Sequence, residues 1–240
     1  MLKVLIFGGG SFAAKHMSEL INSKHKLYKY SKSMVDVREQ SQVFEVINQI
    51  KPDYLINFAA ITTIKESFEK PKLTYETNFI GTLNILNSLK KINFKGKFLN
   101  ISSSEVYGYP LPNNLPTDEE SVLIPMSPYS VAKIATEYLC NQWVRTENFQ
   151  IKTARPFTHI GKFQSDKFSI SSFCRQVAEI KLGLKQPEIK VGDISTTRDL
   201  TDVKDTVRAY WEILENGNPG EAYNICSGNE ISINDVLKKI

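Results

Sequence analysis

The sequence predicts an α/β fold: a doubly wound parallel sheet with helices on both faces, followed by a small C-terminal substrate lobe. Three observations predict it. Short β-rich runs alternate with longer helical patterns as far as residue 155. The first run, Lys3–Phe7, leads straight into a glycine cluster and then into a helical pattern. Beyond residue 155 glycines and prolines interrupt and the apolar runs shorten.

The elements follow in order. Strands are expected at Lys3–Phe7, Lys26–Tyr30, Tyr54–Asn57, 97–102 and 150–155. A helix over 42–50 places Val43, Val46, Ile47 and Ile50 on one face. A second, over 73–89, carries Phe79, Leu83, Ile85, Leu86 and Leu89. A third, over 127–143, opens on Ser127 as a capping residue with Pro128 in the first turn. Helical patterns recur at 173–182, 204–215 and 233–240. The expected organisation is a dinucleotide-binding domain over 1–155, joined by a returning segment near 195–215. A partial substrate lobe over 156–240 shares its core. The last pattern stops inside a helix at Leu237-Lys238-Lys239-Ile240, which leaves two expectations open, a natural end and a lobe cut short.

Composition narrows the function. Of 240 residues, 41% are hydrophobic and 23% charged, enough for one sizeable core. The 30 basic and 26 acidic residues are interspersed, giving a net charge of +4 with no basic block. That argues against nucleic-acid binding. Three widely spaced cysteines, Cys140, Cys174 and Cys226, suggest neither a disulfide framework nor a zinc site. The apolar N-terminus is short and lacks a small-residue cleavage site, and no stretch reaches membrane-spanning length. A cytoplasmic enzyme, independent of membranes and metals, is expected.

The turn Gly8-Gly9-Gly10-Ser11-Phe12 between a strand and a helix makes an anion cradle. Backbone N–H groups and the helix dipole point at a pyrophosphate, and small residues let the backbone come close. Gly8, Gly10, Ser11 and Phe12 are its expected contacts in a Rossmann arrangement. Cofactor choice is read after the second strand, where an acid would hold the ribose 2′-hydroxyl of NAD. Ser31 and Lys32 stand there instead. They suit the 2′-phosphate of NADP, and equally a solvated loop; the expectation is a preference for NADP(H), with NAD(H) still admitted. Phe58, Ala59 and Ala60 follow the third strand, where small side chains let a cofactor lie across the sheet edge. Asn78 is a polar residue in an otherwise apolar helix and is expected to hold the backbone beside the cofactor.

Tyr129 and Lys133 lie one helical turn apart on one face. A phenol titrates near 10, and a neighbouring ammonium would lower that value and ready it for proton transfer. The run Ser102-Ser103-Ser104-Glu105-Val106-Tyr107-Gly108 ends a strand in a polar turn, where a parallel sheet places its ligand crevice. A hydroxyl there can hold a carbonyl oxygen while Tyr129 gives it a proton.

In combination these motifs resemble the extended short-chain dehydrogenase/reductases of the NAD-dependent epimerase/dehydratase family, which act on nucleotide-sugars. The resemblance implies that Ser103, Tyr129 and Lys133 are catalytic. It matches Glu105 to an acid of the 4,6-dehydratases and of some 4-ketoreductases. It places Asp36 and Val37 beside the adenine. Of the family's G-x-x-G-x-x-G only Gly8 is kept; Ser11 and Ala14 fill the other glycine positions. The elements Ala154-Arg155-Pro156-Phe157-Thr158-His159-Ile160-Gly161, Ser172-Phe173-Cys174-Arg175-Gln176, Arg198-Asp199-Leu200-Thr201-Asp202 and Glu221-Ala222-Tyr223-Asn224 are similar to those of members that reduce a GDP-linked 4-ketosugar. The resemblance implies substrate contacts from Ser104, Thr158, Arg175 and Arg198, with Arg198 forking onto the diphosphate. Arg175 has a second reading, as a helix-surface arginine. Thr158 departs from the family's asparagine, and Lys162-Phe163 from its Pro-Gly. Relatives continue into a further subdomain with a second phosphate-binding arginine. A 4,6-dehydratase, a 4-epimerase and an inactive dinucleotide-binding fragment remain open, and a homodimer through the two long helices is implied.

Overall fold

In the central strands, neighbouring residues face opposite sides and both sides are apolar, so the sheet has to be covered twice. The computed structural model describes residues 1–21, 24–109 and 115–240. Its strands are β1 (Lys3–Phe7), β2 (Lys26–Tyr30), β3 (Tyr54–Asn57), β4 (Lys97–Ile101), β5 (Gln150–Pro156), β6 (Thr158–Ile160), β7 (Thr197–Asp202), β8 (Ala222–Ile225) and β9 (Glu230–Ser232). Its helices are α1 (Phe12–Ile21), α2 (Gln40–Ile50), α3 (Ile64–Glu69), α4 (Pro71–Tyr75), α5 (Gly81–Lys91), α6 (Pro128–Glu147), α7 (Ser169–Lys181), α8 (Val203–Asn216) and α9 (Ile233–Lys239). A π-helical turn spans Glu76–Ile80 and a 3-10 turn spans Ser104–Tyr107.

Six parallel strands form the main sheet in the order β2-β1-β3-β4-β5-β8. The alternation is visible in β1. Leu5 and Phe7 pack under α2, α5 and α6 with Val43, Ile47, Leu86, Leu89 and Trp143. Val4 and Ile6 pack on the opposite face under α1 and α8, with Ala14, Met17, Val207, Tyr210 and Leu214. The expected doubly wound sheet therefore forms, and its strand order reverses between β1 and β3, which is where such sheets open a ligand crevice.

Two stretches differ from the sequence expectation. The helix expected over 73–89 is broken: α4 passes into the π-turn before α5 begins. π-turns of this kind concentrate at functional sites, and Asn78 sits inside this one. The chain beyond residue 155 also divides differently from the returning segment foreseen near 195–215. A small sheet, β6-β7-β9, takes residues 197–202, whereas α8 and β8 return to the main sheet. Strands β6 to β9 are too short, three to six residues each, to show a hydrophobic period.

Candidate functional site

The first part of the site lies at the reversal between β1 and β3. Gly8 has φ +73°, and a Cβ there would lie 2.4 Å from both the Ala59 nitrogen and the Phe58 carbonyl carbon. Only glycine allows the first turn and the strand end of β3 to meet so closely. The Gly9 N–H donates to the Tyr30 carbonyl at 2.9 Å, which ties the same turn to the end of β2. The Ser11 hydroxyl accepts from the Ala14 N–H at 3.2 Å at the start of α1. The N–H groups of Phe12 and Ala13 have no acceptor among the described residues. Unpartnered N–H groups at a helix N-terminus, against a turn with no room for side chains, fit a dinucleotide pyrophosphate.

Ser31 and Lys32 lie just past β2. The Ser31 hydroxyl is 2.8 Å from that of Ser33, and Lys32 is exposed. A Cβ on Gly10 would meet Ser31 Cβ at 3.6 Å, so this loop borders the glycine turn. The expected adenine neighbours, Asp36 and Val37, both have partners within the chain. The Val37 side chain is buried in the core under Gly81. Asp36 is gripped by the Arg38 guanidinium, whose hydrogen bonds hold its carboxyl below the usual carboxylate range. Asn78 holds backbone, as the sequence led us to expect. Its amide oxygen accepts from the Ile61 N–H at 2.8 Å and its amide nitrogen donates to the Ile61 carbonyl at 3.0 Å. It therefore shapes the loop after Ala59 and Ala60.

The second part is built by β4, the 3-10 turn and α6. Ser127 and Ser130 form a capping box, with Pro128 in the first turn, so Tyr129 is fixed at the helix start. Ser103 caps the 3-10 turn, accepting from the Glu105 N–H at 3.2 Å. Tyr129 and Ser103 face each other across this junction. The Lys133 ammonium donates to the Ile101 carbonyl at 2.6 Å and lies 5.7 Å from the Tyr129 ring centre. Burial pushes the Tyr129 hydroxyl up to about 12, Ser103 partly offsets this, and the Glu105 charge adds to it. Burial brings Lys133 down to about 8, opposed by the Glu137 carboxylate. The expected lowering of Tyr129 by Lys133 is thus overturned. The ammonium is turned toward a backbone carbonyl, and desolvation of the phenol dominates.

The remaining residues are dispersed. Ser104 is half-buried and Glu105 exposed in the 3-10 turn. Thr158 is exposed on β6, opposite Leu200 of β7. Arg198 is exposed on β7 and donates to its own neighbour's carbonyl, that of Thr197, at 2.7 Å. Arg175 is paired with both Asp166 and Glu179 on the surface of α7, so of its two readings the structure supports the helix-surface arginine. The Phe12 ring at the start of α1 stacks on His159 of β6 with centroids 5.4 Å apart.

Sequence reasoning missed a buried polar network below Tyr129 and Lys133. Arg155 pairs with Glu137 through Nη2 at 2.7 Å, and its Nη1 donates to the Tyr107 hydroxyl at 2.8 Å. The Tyr107 hydroxyl in turn donates to Asn224 at 2.7 Å. The signal was present: Glu137 lies four residues beyond Lys133 on the buried face of α6. Among the described residues no group of three or more His, Cys, Asp or Glu is placed to hold a metal, and no helix is long and apolar enough to cross a membrane.

Comparison with known proteins places these features in context. The family model of GDP-mannose 4,6 dehydratase matches residues 4–240. GDP-6-deoxy-D-mannose reductase of Pseudomonas aeruginosa is 38% identical over 98% of this chain, and the match spans 78% of that protein. GDP-mannose 4,6-dehydratase of Yersinia enterocolitica is 27% identical over 85% of this chain, spanning about half (54%) of its own length. The solved structure of RMD from Pseudomonas aeruginosa, complexed with NADPH, superposes with a TM-score of 0.93 at 38% identity, covering 99% of this chain and 82% of that one.

Proposed function

Because the chain belongs to the GDP-mannose 4,6 dehydratase family, we propose that it reduces the C4 keto group of a GDP-linked 4-keto-6-deoxy sugar with a nicotinamide dinucleotide, NADPH in preference to NADH. The reading rests on the catalytic junction. Tyr129 is buried at the start of α6, where desolvation keeps its hydroxyl protonated, which is the state a proton donor to a carbonyl oxygen requires. The greater likeness to the reductase than to the dehydratases supports reduction over dehydration.

The glycine turn, with Gly8, Gly10, Ser11 and Phe12, and the loop around Ala59 and Ala60 hold the dinucleotide. When bound, the nicotinamide supplies a hydride to the sugar's C4 carbon. Ser103 donates a hydrogen bond that orients the C4 oxygen. Tyr129 gives that oxygen its proton. Lys133, charged below about pH 8, lies 5.7 Å from the centre of the Tyr129 ring and is tied to the end of β4 through the Ile101 carbonyl. Arg198, exposed and without a carboxylate partner within ion-pair distance among the described residues, is the phosphate ligand this reading selects. Ser104 and Thr158 border the sugar. NADPH preference rests on Ser31 and Lys32 and on the absence of an acid at the end of β2. A homodimer is supported by exposed apolar residues near α6: Val131, Tyr138, Tyr75 and Ile80.

A 4,6-dehydratase is the second reading; Glu105, beside Ser103 and felt by Tyr129, is compatible with either reaction. Separate incubations with GDP-4-keto-6-deoxymannose plus NADPH and with GDP-mannose distinguish the two. One NADPH consumed per ketosugar is expected, with GDP-mannose unchanged. Loss of water from GDP-mannose with no net NADPH consumed would establish the redox-neutral dehydratase instead. NADPH binding without turnover of any nucleotide-sugar would mean a binding fragment.

A further inference from the structure

The mechanism uses Ser103, Tyr129 and Lys133, but the group that braces all three is buried behind them. Glu137 lies on α6 one turn beyond Lys133, as Lys133 lies one turn beyond Tyr129. Its side chain is 6% exposed and that of Arg155 is 8% exposed. The Arg155 guanidinium grips it from Nε, 3.2 Å from each oxygen, and from Nη2 at 2.7 Å. The Ser102 hydroxyl donates to its other oxygen, Oε1. Ser102 is the neighbour of Ser103 and follows Ile101, whose carbonyl receives Lys133. Arg155 then reaches the Glu119 carbonyl at 2.9 Å, in the segment that leads into α6. Burying a carboxylate and a guanidinium is costly unless every hydrogen bond is made, and a core of apolar residues would be at least as stable. Stability alone therefore does not explain the pair.

We propose that Glu137, held by Arg155, is a positioning residue for the reductase. It fixes the end of β4 against α6, so that Ser103, Tyr129 and Lys133 keep one geometry, and its charge faces Lys133. The inference rests on the catalytic roles given above. The groups around Lys133 are few. From α6 come Tyr129, Glu137 and the Cys140 thiol. From β4 comes only the Ile101 carbonyl. Glu105 of the 3-10 turn and Tyr210 of α8 face Tyr129 instead. Arg155 of β5 and Tyr107 lie on the far side of Glu137. Glu137 is thus the carboxylate whose removal changes the field at Lys133, and it favours the charged lysine.

The test removes both buried charges together in Glu137→Leu/Arg155→Met, which spares the core an unpaired ion. The variant is expected to fold and to bind NADPH as the wild type does. Its kcat is expected to fall about 10- to 100-fold, as for other outer partners of catalytic groups. The alkaline limb of its pH–kcat profile is expected to move to lower pH by about one unit. A folded variant with wild-type kcat and an unmoved profile would overturn the proposal. If the double variant does not fold, Glu137→Gln, which keeps shape and removes charge, takes the same measurements. Failure of both to fold would make the pair a stability element and also overturn the proposal. If the wild type turns over no ketosugar, the reductase reading fails separately. Hydrogen exchange then decides this one, because residues 101–107 must lose protection in the folded variant, and retained protection sinks it.

Discussion

Gly8→Ala perturbs the dinucleotide site by a single methyl group, and the structure sets the size of the effect. The new Cβ would lie 2.4 Å from both the Ala59 nitrogen and the Phe58 carbonyl carbon, about 1 Å inside ordinary contact. These are backbone atoms at the end of a buried strand, so no side-chain rotation relieves the clash. The residue also keeps φ +73°, which costs an L-amino acid roughly 1–2 kcal/mol. Strain and forced separation of β1 from β3 together give a loss of at least about 2 kcal/mol, or roughly 4–8 °C in Tm for a chain of this size. Cofactor affinity should fall more than tenfold, because the turn that moves is the one that cradles the pyrophosphate. Differential scanning calorimetry and NADPH fluorescence titration measure the two losses. A variant with unchanged Tm and unchanged NADPH affinity would refute both the close approach and the placement of the cofactor there.

Other consequences are as direct. Lys133 is charged below about pH 8 and neutral above it, so kcat should be full on the acid side and decline as pH rises through about 8, read from initial rates of NADPH oxidation. Lys133→Met should abolish that limb together with most of the rate. Lys32→Glu should lower kcat/KM for NADPH more than tenfold while leaving NADH unaffected, and equal losses for both would remove Lys32 from cofactor choice. Asn78→Ala leaves both polar groups of Ile61 without a partner, which costs about 1–3 kcal/mol each where no water replaces it. A Tm within 1 °C of wild type would contradict that.

The parallel sheet was legible because short β-rich runs alternate with helices that carry one apolar face; β1, β2 and β3 fall on the expected residues. The placement of Tyr129 and Lys133 was legible because they sit at helical spacing after a strong cap. Other features depend on partners far away in the chain. Within the π-turn Asn78 reaches back to Ile61, and no local pattern carries that. The elevated Tyr129 value arises from burial by several elements, which spacing on one helix does not express. Arg175 carries the same charge in a phosphate site or an ion pair, and only the folded positions of Asp166 and Glu179 decide between them. Arg155 stood in a recognised element, yet its partner Glu137 is 18 residues away on another layer.

The central claim is that Tyr129 delivers the proton in a carbonyl reduction. Tyr129→Phe removes one hydroxyl from a buried site and leaves the glycine turn untouched. With GDP-4-keto-6-deoxymannose and NADPH, the account predicts that the variant binds NADPH as the wild type does and loses about 10²- to 10⁴-fold in kcat. Near-normal turnover by Tyr129→Phe would contradict it.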